Sequence, residues 1–430
     1  MKYSDLISRL DSESANERIN AIKELKKLID KGELKADSSK SYVNDHIHTK
    51  YSFSPYTPSA AVFYAWKAGL ETCGIMDHET VAGCKEFIEA GKILNIPVTC
   101  GLECRVKMNK TALEGKYINN PYQKSIAYFV MHGIPHQMLE KVDAFFKPLR
   151  EKRNERNKKI CDKLNKYFRS LKEIYVDYEK DVLPLSMYDK GGTVTERHIC
   201  QAFAKQFIKS FTNNEMLHIF ELDCEVPFSD EYPKAFLKFK DEELEYELIH
   251  IFKEILINFV YVDADEECVE LSDLVKLCNE VGAICAYAYL GKINDKAFDA
   301  VWPDFEDNCL EILAEELKKA NVCALTYMPS RNTFEQSKNI IDLCNKNCFF
   351  QISGEDINSL NQPFVNDLLL EEMFSHLKDS TYAIIGNEIL ATDDIENAMF
   401  SEKTKKAYPD LKKRIQYYAN IARKGNNYGT

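Results

Sequence analysis

Hydrophobic spacing along this chain changes period several times, and each change marks an element. Ile19, Ile22, Leu25, Leu28 and Ile29 recur at three- and four-residue steps and so share one face of a helix. Ser14 with Glu17 predicts a capping box at its start, and Gly32 ends it. Residues 41–49 are polar but read as a strand, and Thr57-Pro58 then opens a helix that runs through Ala68 and stops at Gly69. A short apolar strand over 73–76, a helix over 81–94 and a strand over 96–102 follow. This alternation predicts a parallel sheet with right-handed crossovers. Similar buried strands recur late, over 282–289, 322–327 and 348–353.

Between these runs the chain is charged and helical. Residues 147–167 set Arg150, Arg153, Arg156 and Lys159 three apart along one side, with Ile160, Leu164 and Tyr167 as apolar contacts. A solvated helix face is the ordinary reading, and an arginine turned to a substrate the alternative. Residues 205–262 read as a helical insertion, and the chain after 360 is mainly helical, ending in a helix over 409–423. The expected organisation is an N-terminal helical segment (1–40), a barrel first half (41–147), a helical insertion or cap (148–275), a barrel second half (276–360) and a C-terminal helical segment (361–430).

Composition narrows the function. At 430 residues and 45% hydrophobic the chain can bury a large core, and a net charge of −12 argues against stable duplex binding. No run is long and apolar enough to span a bilayer, and the first ten residues are polar and amphipathic, so a cytoplasmic protein with no membrane partner is expected. The 14 cysteines lie singly in apolar runs, and Cys100/Cys104 and Cys344/Cys348 lack zinc-knuckle spacing, so they read as reduced and buried.

The chemistry concentrates in three clusters, each after a strand-like run: Asp45-His46-Ile47-His48-Thr49, Asp77-His78-Glu79-Thr80 and Gly101-Leu102-Glu103. Alternate side chains of a strand share a face, so His46 and His48 can close on one ion. Imidazoles with carboxylates suit Mn²⁺, Zn²⁺ or Fe²⁺ better than Ca²⁺ or Mg²⁺. His136, His218, His250 and His376 stand without partners in the sequence and read as structural or exposed.

On these motifs the chain resembles the PHP (polymerase and histidinol phosphatase) superfamily, over about residues 41–147 and 276–360 plus Arg197-His198. His46-Ile47-His48-Thr49 is similar to the first family motif, Asp77-His78 to the second, and Gly101-Leu102-Glu103 to the bridging carboxylate. Thr195-Glu196-Arg197-His198-Ile199 resembles the arginine-histidine segment, and Gly354-Glu355-Asp356-Ile357-Asn358 the late motif. The resemblance implies a distorted (β/α)7 barrel with an inserted helical domain. It also implies about two metal ions held by His46, His48, Glu103, His198 and Asp356, with His132 a further candidate ligand.

Some positions depart from the pattern. Phe53, Tyr128, Tyr287 and Asn358 stand where the family has ligand-type residues, and the changes at Phe53 and Asn358 weaken a third metal position beside His78. Tyr287 and Tyr289 either fill the space or offer a hydroxyl to a phosphate. The resemblance implies a phosphoesterase that hydrolyses a phosphomonoester, nucleotide or short oligonucleotide end by metal-bound hydroxide. In that scheme His78 protonates the leaving group, Asp77 orients its neighbours, and Arg197 and Arg331 face phosphate oxygens. The alternative is a degenerate PHP barrel that binds metal or a phosphorylated ligand without turnover. Oligomeric state is left open.

Overall fold

The computed structural model describes residues 3–38, 41–171, 174–224, 232–291, 294–295, 300–301 and 305–425. Seven strands form one hydrogen-bonded path: β1 Tyr42–Ile47, β2 Leu70–His78, β3 Val98–Lys107, β4 Ile126–His132, β5 Ile284–Ala288, β6 Ala324–Tyr327 and β7 Phe350–Ser353. The two ends of the path meet just past β1 and β7. The His48 N–H donates to the Ile357 carbonyl at 2.9 Å, and the Ile357 N–H to the His46 carbonyl at 3.0 Å. The result is a nearly closed α/β barrel with helices outside.

One expectation needs correcting: the sheet is not wholly parallel. β4 runs antiparallel to both β3 and β5, while the other pairs are parallel. A parallel pair needs a long crossover, whereas antiparallel neighbours can be joined by a loop, and residues 108–125 contain no helix. The consequence is local and large. The N-terminal end of β4 lies at the rim where the parallel strands end, so Tyr128 faces Arg105 there, while His132 is paired with Ile284 at the start of β5.

The helices used below are α1 Ala15–Asp30, α2 Pro58–Ala68, α3 Cys84–Leu94, α4 Leu139–Tyr167, α5 Glu196–Ser210, α6 Asp241–Ile255, α7 Ser375–Asp393 and α8 Leu411–Gly425. In α2, Thr57 caps the first turn through the Ala60 N–H at 3.2 Å with Pro58 at the first position. Gly69 closes it at φ +99°, where a Cβ would stand 2.6 Å from the Ser38 carbonyl oxygen. The capping box expected for α1 does not form: Ser14 makes no side-chain cap, and Glu17 is held by the Ser12 hydroxyl at 2.6 Å.

Three apolar clusters divide the interior. The largest lies between the strands and the outer helices. Inside the barrel, Met76, Val130, Ala286, Phe350 and Ile352 pack on Ile384 and Ile385 of α7 and on Tyr418 of α8. Glu388 of α7 accepts from the Cys100 N–H at 2.8 Å, and Asn387 donates to the Gly133 and Gly282 carbonyls at 3.2 and 3.0 Å. This helix therefore plugs one end of the barrel and leaves the other open. A third cluster, built from Ile160, Phe203, Phe207, Phe220, Phe252 and their neighbours, gives the inserted helices a core of their own.

The arginine row on α4 is not a solvated face. Arg150, Arg153 and Arg156 are buried, and only Lys159 of the four is exposed. Buried charges need partners, and these arginines find them across the barrel–cap junction. Arg153 pairs with Glu79 and with Glu196 at 2.9 Å, Arg156 with Glu196 and Glu267, and Arg105 of β3 with Glu196 at 2.8 Å and Glu267 at 3.3 Å. Arg150 donates to the Glu79 carbonyl at 2.8 Å and pairs with Asp143 at 2.7 Å. No disulfide is found among the described residues, and of the cysteines only Cys323 and Cys348 are not buried.

Candidate metal centre

At the open rim, side chains from β1, β2, β3 and the segment after β7 converge. His46 and His48 point to the same side, as the strand alternation requires, while Ile47 between them packs in the outer core. Their Nε2 atoms are 3.2 Å apart. Glu103 Oε2 lies 3.1 Å from His46 Nε2, and Asp356 Oδ1 lies 3.3 Å from His48 Nε2. The other oxygen of Glu103 is 3.8 Å from His78 Nδ1. One carboxylate thus stands between two sets of imidazoles. Among the described residues, His46, His48 and Asp356 have ligand atoms all within 4.8 Å of one another.

The electrostatics fit a cation. Burial works against charge on Glu103, yet His78, His46 and His48 around it hold its pKa down to about 2. Burial likewise opposes charge on Asp356, but His48 and Arg331 keep it well below the usual carboxylate range. Both acids are therefore anionic at neutral pH. The His46 Nδ1 is buried without a partner, and two imidazole Nε2 atoms at 3.2 Å satisfy each other only if one is protonated and the other not. Imidazole and carboxylate donors facing inward from four segments are the donor types that a divalent transition ion takes.

Around this cluster, Asp77 and Ser52 fix the loop after β1. Asp77 Oδ1 accepts from the Thr49 N–H at 2.7 Å and the Ser52 hydroxyl at 2.6 Å, and Oδ2 from the Thr49 hydroxyl at 2.6 Å. Ser52 Oγ in turn lies 3.3 Å from His48 Nδ1. Asp77 is spent on orienting these neighbours and does not line the cavity. His78 lines the cavity, but burial pushes its pKa down to about 3, so it is neutral and holds no proton for a leaving group at pH 7.

The remaining candidates divide. His198 is buried at the start of α5, its Nδ1 accepting the Thr195 N–H at 2.9 Å and its ring edge-on to Phe53 at 4.9 Å. It is not part of the cavity lining. His132 is the buried last residue of β4, set by the reversed strand at the end opposite the rim and outside the cavity lining. Both its ring nitrogens lack partners, and burial, with His46 nearby, lowers its pKa to about 3. Asn358 donates to both oxygens of Asp356, at 2.9 and 3.1 Å. Arg331 lines the cavity with Nη2 at 3.6 Å from Asp356, and Arg197 lines it with its guanidinium over the Phe53 ring. Tyr287 points to the outer layer, where its hydroxyl donates to Glu306 at 2.5 Å, and Tyr289 donates to Asp307.

The cluster sits in a cavity of about 420 Å³, within the range for small-molecule sites. His250, Lys253, Glu254 and Ile257 from the inserted helices form part of its wall, with Tyr122 and Tyr261. Sequence reasoning missed Lys253 and Glu254 because they lie in ordinary amphipathic helix, and it read His250 as structural or exposed. It also misread His136, which pairs with Glu388 at 2.7 Å, and His376, which meets Tyr327 at 3.0 Å and Gln351 at 3.1 Å.

A barrel with ligand-type side chains gathered at its open rim is the class of protein that fold and site define. Residues 45–217 match the family model described as PHP domain. No curated protein matches the sequence. One similar solved structure comes from Bifidobacterium adolescentis and is provisionally described as a metal-dependent phosphoesterase. It shares 17% identity over 79% of this chain and 97% of its own, with a TM-score of 0.49. Another, an amidohydrolase from Chromobacterium violaceum with bound sulfate and no metal, shares 15% identity over 75% of this chain and 90% of its own, also with a TM-score of 0.49. Among the described residues, no helix is long and apolar enough to cross a membrane.

Proposed function

We propose that this chain is a metal-dependent phosphoesterase acting on a small phosphorylated substrate. The observation that carries the reading is the convergence of His46, His48 and Asp356, with Glu103 against His46, in a cavity that Arg331 also lines. A divalent Mn, Zn or Fe ion bound there supplies a water of lowered pKa and charge neutralisation for a phosphoryl group. His46, His48, Glu103 and Asp356 would hold it. A second ion would draw on the Glu103 oxygen that faces His78, with His198 the remaining candidate.

The chain's own groups do the rest. Asp77, through Ser52 and Thr49, holds the β1 loop so that His48 presents Nε2 to the cluster. Arg331, beside Asp356, presents N–H groups to the equatorial phosphate oxygens, where negative charge is greatest as the bond to the leaving group breaks. His78 faces the second Glu103 oxygen from the cavity wall. The cap wall limits the substrate to a small phosphoester or a chain end.

A second reading, a barrel that binds a phosphorylated ligand without turnover, is favoured by one contact. The Asn358 amide donates to both Asp356 oxygens, so this acid is already partly satisfied without an ion. The test is hydrolysis of p-nitrophenyl phosphate and bis(p-nitrophenyl) phosphate with added Mn²⁺, in the wild type and in His46→Ala/His48→Ala. A rate that needs Mn²⁺ and is lost in the double variant supports the enzyme. Equal rates in the two proteins remove it. Bound metal with no turnover of any phosphoester selects the second reading.

A further inference from the structure

The cap contributes charge to the cavity that the metal cluster does not account for. Most cations in the lining are already matched: Arg105 and Arg153 by Glu196, and Arg331 by Asp356. Arg197 and Lys253 are different. Neither has an ion pair among the described residues. The Arg197 guanidinium lies over the Phe53 ring at 5.9 Å and the Lys253 ammonium over the Tyr122 ring at 5.6 Å. Aromatic faces hold a cation in place but accept none of its strong hydrogen bonds, so the N–H groups remain available. The two residues come from different helices, α5 and α6, and line the same cavity.

We propose that Arg197 and Lys253 form a second anion subsite, so that the substrate carries a second anionic group, phosphate or carboxylate, beyond the phosphoester that meets the metal cluster. The proposal rests on the phosphoesterase reading and gives the substrate class. Two things support it besides the missing partners. Burial, with Arg197 and Arg331 nearby, lowers the Lys253 pKa to about 8, a penalty that a bound anion reverses. Second, Lys253 lies on the inserted helices and Arg197 directly follows Glu196, the acid to which three arginines are tied. Both cations are thus held in position before any ligand arrives.

The experiment uses the full chain loaded with Mn²⁺ and calorimetric titration with alkylphosphonates. Each simple alkylphosphonate is compared with the same chain bearing a terminal phosphonate or carboxylate, over a series of lengths. At one length the doubly anionic ligand is expected to bind at least tenfold more tightly than its singly anionic partner. That ratio should fall towards one in Lys253→Met and return in Lys253→Arg, which separates charge from folding. The two terminal groups tell phosphate from carboxylate. A ratio that survives Lys253→Met, or never exceeds threefold at any length, overturns the subsite. Should the Lys253-dependent ratio persist while phosphonate binding ignores Mn²⁺, the subsite stands and the metal-dependent phosphoesterase reading falls instead.

Discussion

Replacing Glu196 by glutamine should destabilise the protein by about 3–5 kcal/mol, the cost of breaking a buried ion pair by removing one partner. Glu196 accepts from Arg105 at 2.8 Å, Arg153 at 2.9 Å and Arg156, and those three side chains are 8, 4 and 5% exposed. Three arginines and three glutamates, with Glu79 and Glu267, balance in this junction. The variant keeps the shape and one acceptor but leaves a net positive charge with little water to screen it. At a separation of ~4 Å and an effective dielectric of ~20, each lost charge pair is about 4 kcal/mol gross, before desolvation is recovered. Burial opposes ionisation of Glu196, yet Arg105, Arg156 and Arg153 hold its pKa well below normal. Its contribution is therefore present at neutral pH and lost as pH falls through that lowered value. Equilibrium urea unfolding at pH 7 and low salt measures the loss. Glu196→Gln/Arg156→Met restores the balance and should recover much of the single variant's loss, a coupling that a double-mutant cycle reads directly. A loss below about 1 kcal/mol, the value of an exposed pair, would refute the view that this junction is dry and tightly coupled.

Further outcomes follow from other parts of the structure. His46→Ala/His48→Ala should bind less Mn²⁺ or Zn²⁺ than wild type by at least an equivalent, read by elemental analysis after gel filtration, because the imidazole pair of the cluster is gone. Burial raises the Glu306 pKa to about 8 despite its bonds to Tyr287 and the Gly291 N–H. Stability should therefore fall as pH climbs from the ordinary carboxylate value to about 8. Glu306→Gln should flatten that slope, with a relative gain on the order of 2–4 kcal/mol between pH 4.5 and 9 in urea titrations. Gly69→Ala places a Cβ 2.6 Å from the Ser38 oxygen at φ +99° and should lower stability by about 2 kcal/mol, seen as a reduced thermal midpoint.

What the sequence by itself determined is the part written in local spacing. Thr57-Pro58 and Gly69 bound a helix through dihedral preferences and capping bonds that need only neighbouring residues. A two-residue step put His46 and His48 on one face of a strand, and the motifs around Glu103 and Asp356 supplied the acids that close on them. Tertiary structure decided the rest. Residues 147–167 give the same three-residue arginine spacing whether that face meets water or a partner, and only the packed chain brings Glu79, Glu196 and Glu267 to it. The direction of β4, which sets His132 at the end opposite the rim, was not legible, because reversing a strand exchanges its ends without changing its alternation. Lys253 carried no signal, since an ordinary lysine on an amphipathic helix becomes a cavity cation only when that helix folds over the rim. Local preference acts over a few residues, whereas the pairing of charges and the direction of strands depend on segments far apart in the chain.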